Sequence, residues 1–222
     1  LKNNRQIDPE ILLGRTCYGG FDMAETQDFT SACLEFELDD GFFFVLSHSW
    51  VPEAKKKANK EKLDWDYLVE SDWLTIVPES YVKFEYVFDW FIEQSEKYRI
   101  ETIGYDRAKA HELINALLGR GFTLCEVRQG ELTLTAPLDH LKERFLDYKV
   151  IHNGNELYRW YLGNVKLTKR GPNATYLPTK QNKYRKIDGF AAHLNAHTEW
   201  LRKHPLAISP DKPLTTKINL GR

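Results

Sequence analysis

Three aspartates far apart in the 222-residue chain sit in related local settings. Asp22 ends the run "CYGGFD", Asp106 ends "IETIGYD", and Asp188 lies in "KYRKIDGF". In the first two, an apolar strand-like run stops at the acid, and a glycine precedes it by two positions, Gly20 and Gly104. Strand residues alternate between faces, so Tyr18, Gly20 and Asp22 share one face, as do Thr102, Gly104 and Asp106. A glycine on such a face leaves room for something to approach closely. Phe21, Met23, Ile103 and Tyr105 point the other way, into packing. Asp188 opens a helical run in which Ile187, Ala191, Leu194, Thr198 and Leu201 form a stripe, with Asp188 beside it. Packing that stripe on a sheet brings the third acid to the glycine-cleared face. Clustered carboxylates repel one another, and their pKa values rise unless a cation compensates. A hard divalent cation with oxygen ligands is the natural compensation. Two such ions on one phosphate stabilise both the attacking and the leaving oxygen of an in-line displacement. Singly, each acid reads as a surface or capping aspartate, Asp188 as a helix N-cap. The shared pattern and a neighbouring basic tract favour a common site.

That tract is free of acids from Leu157 to Ile187 and holds Arg159, Lys166, Lys169, Arg170, Lys180, Lys183, Arg185 and Lys186. With a net charge of −1, the whole chain is no polycation, but this stretch is a candidate phosphate-facing surface. The competing reading is a solvated face balanced by acids elsewhere. Lys180, Lys183, Arg185 and Lys186 form an arm beside Asp188 that suits DNA phosphates, contacts that position a duplex without reading its bases. Asp28 in "TQDFT" follows the first strand; a turn residue is the favoured reading, with reach to the site as the rival. His193 and His197 have the spacing of a zinc pair, but Leu194 stands where a metalloprotease needs glutamate. The helical angle predicts that both histidines are exposed and bind no metal. Cys17, Cys33 and Cys125 are too few and too scattered for a disulfide framework or a cysteine zinc site, which fits a reducing cytosol. Most of the six tryptophans lie in periodic segments and read as core.

The elements that must position these residues follow from periodicity. Cys17–Ala24, Thr30–Glu37 and the run to Trp50 read as strands, with the tight turn "DDG" between the last two, forming an antiparallel meander. Further strands are expected at 74–78, 100–106 and "FTLCEV", and helices at 84–98, 107–118, 132–148, 155–167 and 187–201. Gly171 to Lys186 reads as a loop with at most a short hairpin. The order predicts an α/β sheet of mixed direction with helices on both faces. No internal linker calls for a domain cut, so residues 1–204 are expected to form one domain, with 205–222 an irregular tail. Hydrophobic content of 42% supports a core, and no run is apolar over the roughly 20 residues a membrane span needs. The chain begins with Leu1 and reads as part of something longer.

The pieces "YGGFDMAETQDFTSACLEF", "HSWVPE", "IGYDRAKAHELINALLGRGF" and "PTKQNKYRKIDGFAAHLNA", in that order and spacing, resemble the C-terminal nuclease domain of tailed-bacteriophage terminase large subunits. The resemblance runs from about Tyr18 to His197. It implies a ribonuclease H-like fold and a metal-dependent endonuclease that cuts double-stranded concatemeric DNA during genome packaging. It places catalytic, metal-binding acids at Asp22, Asp106 and Asp188 and implies magnesium or manganese (Mg2+ or Mn2+) there. Two ions are expected, with Asp22 bridging both because it lies on the presumed central strand, and Asp106 and Asp188 completing one each. The implied partners are double-stranded DNA, the terminase ATPase domain, the small terminase subunit and the portal protein, in the host cell cytoplasm and outside the mature virion. The chain carries no G-x-x-x-x-G-K-[ST] loop, so the ATPase motor is not expected within it. The rival readings are a non-catalytic DNA-binding or docking module, and an actin-like phosphotransferase, for whose two-domain clamp one domain is too short.

Overall fold

The computed structural model describes residues 5–24, 28–170, 175–182 and 184–205. In chain order its elements are β1 (Thr16–Asp22), β2 (Thr30–Glu37), β3 (Phe43–Pro52), α1 (Glu53–Ala58), α2 (Trp65–Glu70), β4 (Leu74–Val77), α3 (Phe84–Lys97) and β5 (Arg99–Tyr105). Then come α4 (His111–Gly119), β6 (Leu124–Glu126), α5 (Glu131–Leu146), β7 (Val150–Ile151), α6 (Glu156–Asn164), β8 (Val165–Arg170), β9 (Thr175–Lys180) and α7 (Asp188–Lys203).

A seven-stranded sheet runs in the order β4-β3-β2-β1-β5-β6, with β7 also paired to β3. β2 is antiparallel to β1 and β3, while β1–β5, β5–β6, β3–β4 and β3–β7 are parallel. The predicted meander is present, and the turn between β2 and β3 places Asp40 and Gly41 at positive φ. Alternation along the strands divides the core. Phe21, Leu34, Phe36, Phe44 and Ile103 face α3 and α4, packing on Val87, Phe91, Leu113 and Leu117. The opposite face receives α7, which is covered in turn by α5 and α6. Helices thus flank both faces, giving the ribonuclease H-like α/β arrangement.

The structure departs from the expected elements in several places. The helix predicted over 155–167 stops at Asn164, and Val165 begins β8, which pairs with β9 in a separate two-stranded sheet. Val165 and Thr168 are β-branched and favour the extended state that the hairpin supplies. The helix predicted from Arg107 starts at His111, since residues 107–109 form a connection in which Lys109 has positive φ. Two short elements, α2 and β7, are too brief for periodicity to reveal. Lys183 and the tail from 206 to 222 lie outside the described residues.

Candidate active site

Asp22 is the last residue of β1, and Asp106 directly follows β5. The parallel register pairs Gly20 with Gly104 and Phe21 with Tyr105, so one step further along sets the two acids level on neighbouring strands. Asp106 Oδ1 accepts the backbone N–H of Ala108 at 3.1 Å. Asp188 is the first residue of α7 and is 8% exposed.

The two glycines explain how α7 arrives there. A Cβ on Gly20 would collide with Ala192 O and Ala196 N, and one on Gly104 with Asn195 O. The space they clear is filled by the backbone of α7, not by a ligand. Asn195 fixes the seat by donating its side-chain N–H to Phe21 O at 2.9 Å. At the start of α7, a Cβ on Gly189 would strike the ring of Tyr161, so "DG" at 188–189 combines an acid with the small residue that lets it lie against α6.

The electrostatics bind the acids together. Asp22 is raised well above the usual carboxylate range, by burial first and then by the charges of Asp188 and Asp106; Lys180 and Lys109 offset this in part. Asp188 is pushed up to about 6 by burial and by Asp28, against Lys180, its own helix-start N–H and Lys186. Its Oδ2 is buried without a hydrogen-bond partner. Asp28 accepts the Phe29 N–H at 2.9 Å, as a turn residue would, and is also ion-paired to Lys55 and Lys186. Burial favours its neutral form, but the Lys186 hydrogen bond and the Lys55 charge outweigh it and lower the pKa. Both readings of Asp28 therefore have a physical counterpart.

The donor set suits a divalent cation: oxygen ligands only, mutual repulsion, and one buried carboxylate oxygen with nothing to bind. At least one pair of the three aspartates stands wider than 4.8 Å, since among the described residues that limit is met by a different trio, Glu35, His193 and His197.

Of the predicted DNA-contacting residues, Lys180 ends β9, is exposed, and acts electrostatically on Asp22 and Asp188. Arg185 is exposed in the connection to α7, and Lys186 is half-buried on Asp28.

The expectation of exposed histidines is overturned: His193 and His197 are both 0% exposed. The apolar stripe is not the side that meets the sheet: Leu194 packs with Leu134, Leu138 and Leu141 of α5, while Ala192, Asn195 and Ala196 seat on the strands and the two histidines reach Glu35 on β2. His193 Nε2 lies 2.8 Å from Glu35 Oε1, and His197 Nδ1 lies 2.9 Å from the same oxygen. Every polar atom of the cluster has a partner. Each ring meets Glu35 through one nitrogen, while His193 Nδ1 lies 2.5 Å from Tyr158 Oη and His197 Nε2 lies 2.8 Å from His140 Nδ1. These are hydrogen-bond lengths; two ligands on a tetrahedral zinc would stand about 3.3 Å apart. Burial alone would raise Glu35, but the charges and hydrogen bonds of His197 and His193 bring it down to about 2. The available signal was the acid inside the apolar strand "SACLEFE", which needed a buried partner.

A family model described as terminase large subunit, endonuclease domain, matches residues 2–204. Among solved structures, the HK97 bacteriophage large terminase aligns with a TM-score of 0.76 at 21% identity, covering 85% of this chain. This chain spans only 40% of that one. The large terminase nuclease from thermophilic phage G20c aligns with a TM-score of 0.56 at 10% identity, covering 83% of this chain and 82% of that one. Its form with bound magnesium gives 0.54 at 10% identity, covering 83% and 81%. At such identities these alignments speak to the fold. No curated protein matches the chain.

Proposed function

Since the chain belongs to the family of terminase large subunit endonuclease domains, we propose that it hydrolyses phosphodiester bonds of double-stranded concatemeric DNA during genome packaging, with Asp22, Asp106 and Asp188 as its metal-binding acids. The observation that carries this reading is the buried, unpartnered Asp188 Oδ2 in a carboxylate cluster that raises the pKa of Asp22. Magnesium or manganese, two ions in all, would be held by these three acids, with Asp22 shared. Bound there, such ions supply positive charge to the attacking and leaving oxygens of the displaced phosphate.

The chain's own residues position the reaction. Asp22 and Asp106 project from the ends of parallel neighbours β1 and β5, and α7 brings Asp188 to them. Lys186 holds Asp28 beside Asp188, so the basic approach and the acidic centre share one ion pair. Lys180 and Arg185, exposed at the same end, are assigned to the duplex phosphates, with Lys183 as a further contact. The ATPase domain, small terminase subunit and portal protein are the partners this role requires, acting in the host cytoplasm.

Plasmid nicking by the 222-residue chain tests the proposal. Cleavage is expected with manganese or magnesium and none with excess chelator. Asp22→Asn, Asp106→Asn and Asp188→Asn should each lose at least about a hundredfold in rate, the scale expected when one essential electrostatic group is removed. Full activity in any of these folded variants overturns the assignment. DNA binding without cleavage, unaffected by all three substitutions, would instead point to a docking module.

A further inference from the structure

Asp28 is held by two lysines of different kinds. Its Oδ1 meets Lys55 Nζ at 3.2 Å, and its Oδ2 is ion-paired to Lys186. Lys55 comes from α1 and is fixed in place. A second acid, Glu61, meets it at 2.8 Å with a side chain only 2% exposed, and Lys55 Nζ also lies 5.5 Å from the centre of the Phe29 ring. The turn carrying Glu61 is locked by Asn59, whose Oδ1 accepts the Leu63 N–H at 3.1 Å and the Trp65 indole N–H at 2.7 Å. Trp65 stacks in turn on Phe29, the residue after Asp28. Asp28, Lys55 and Glu61 are thus anchored together.

Lys186 comes from the other side. It lies in the basic arm between β9 and α7, next to exposed Arg185. Its main chain is pinned: its C=O accepts the Asn164 side-chain N–H at 2.8 Å, and the C=O of the next residue, Ile187, accepts the Ala191 N–H. Only the flexible four-carbon side chain has to move for the ammonium to change partners.

The four charges balance, Asp28 and Glu61 against Lys55 and Lys186. Glu61 Oε2 is buried with no hydrogen-bond partner, so Glu61 holds Lys55 firmly. When Lys186 leaves, Lys55 cannot neutralise both acids, and Asp28 carries an uncovered charge. Asp28 is the most exposed of the four side chains, at 27%, and its charge already acts on Asp188. An uncovered carboxylate there strengthens the field that draws a divalent cation. A backbone phosphate is a partner able to draw the ammonium away, since lysine binds phosphate as a point charge.

We propose that Lys186 is an exchangeable counterion, covering Asp28 while no duplex is bound and passing to a backbone phosphate when one arrives, so that DNA binding raises the affinity of the aspartate site for its metal. The inference rests on the reading of Asp22, Asp106 and Asp188 as metal ligands. The coupling is reciprocal, so metal strengthens duplex binding by the same factor. Free chain is thereby kept poor in metal, and chain on DNA is charged with it.

Manganese titrated into the DNA-free 222-residue chain, with the free ion read by electron paramagnetic resonance, tests the inference. Lys186→Met, which keeps the stem and removes the charge, should bind manganese about tenfold tighter than the parent, and Lys186→Gln, a second neutral variant, should do the same. Lys186→Arg should match the parent, as should Arg185→Gln, one residue away and off Asp28. In an Asp28→Asn background the gain from Lys186→Met should shrink to about twofold or less. Binding of a fluorescein-labelled duplex in chelator, followed by anisotropy, should lose about one unit of log–log salt slope in Lys186→Met. Parental or weaker manganese binding by the folded neutral variants, an equal gain in Arg185→Gln, the full gain without Asp28, or an unchanged salt slope would overturn the proposal. Asp22→Asn separates the two readings. If it leaves manganese affinity intact, the aspartate assignment fails and the exchange with it. If it abolishes binding while the neutral Lys186 variants stay at parental affinity, the exchange alone fails.

Discussion

A carboxylate oxygen without a partner, as at Asp188 Oδ2, works against the metal-free fold. Asp188 titrates at about 6 when folded against 3.8 in the unfolded chain. Its contribution is therefore fully favourable below the unfolded value and is lost as pH rises through 6, by on the order of 3 kcal/mol. Without metal, Asp188→Asn is expected to melt above the parent at pH 7.5, with the advantage disappearing near pH 4; thermal melts in chelator across that range check it. Glu35 behaves in the opposite sense. Held at about 2 against 4.5 unfolded, it stabilises the fold above pH 4.5, and that contribution is lost as pH falls toward 2. Glu35→Gln should destabilise the chain by on the order of 3 kcal/mol at neutral pH and flatten its acid limb, read by denaturant unfolding at several pH values.

Helix α7 is the element on which the site depends, and it was also the hardest to read. Strands were legible because alternation survives partial burial: β2 was predicted residue for residue, and β1 and β5 to within two residues at either end. The proposed acids Asp22, Asp106 and Asp188 were singled out on the same basis, at the ends of elements with clear periods. What was not legible was which side of α7 meets the sheet: its apolar stripe, through Leu194, packs on α5, and the small and polar Ala192, Asn195 and Ala196 seat on the strands. That is why His193 and His197 were expected in solvent. The glycine spacing was noticed, but its occupant was the helix backbone, a contact no side-chain pattern encodes. Gly104→Ala should displace α7, lose about 3 kcal/mol of stability and slow cleavage, whereas Gly119→Ala, with nothing within 4 Å of an added Cβ, should do neither. Paired unfolding and nicking assays separate the two. In the arm before α7, Lys180→Gln and Arg185→Gln should each reduce the salt dependence of DNA binding by about one unit of log–log slope; Arg185→Gln should leave the melting temperature unchanged, whereas Lys180→Gln should lower it in chelator at neutral pH, because Lys180 offsets the repulsion at Asp22 and Asp188.

At the scale of the whole molecule, charge is segregated rather than large. A chain of net charge −1 gathers Lys109, Lys180 and Lys186 around the aspartates at one end of its sheet. Metal binding to the folded chain alone should couple to global stability. Manganese at a hundredfold excess over its dissociation constant is expected to raise unfolding free energy by about 2.7 kcal/mol, and Asp22→Asn should abolish that gain in calorimetric melts. The seat of α7 on Gly20 and Gly104 bears on tolerance to change. Main chain rests there on main chain, with no rotamer between to cushion or absorb a shift. A shift of β1 or β5 caused by altered packing on the α3 and α4 side is therefore passed straight to α7 and to the setting of Asp188 against Asp22. Slippage of the helix along its own axis is arrested by contact, and one methyl at either glycine is enough to lift that stop.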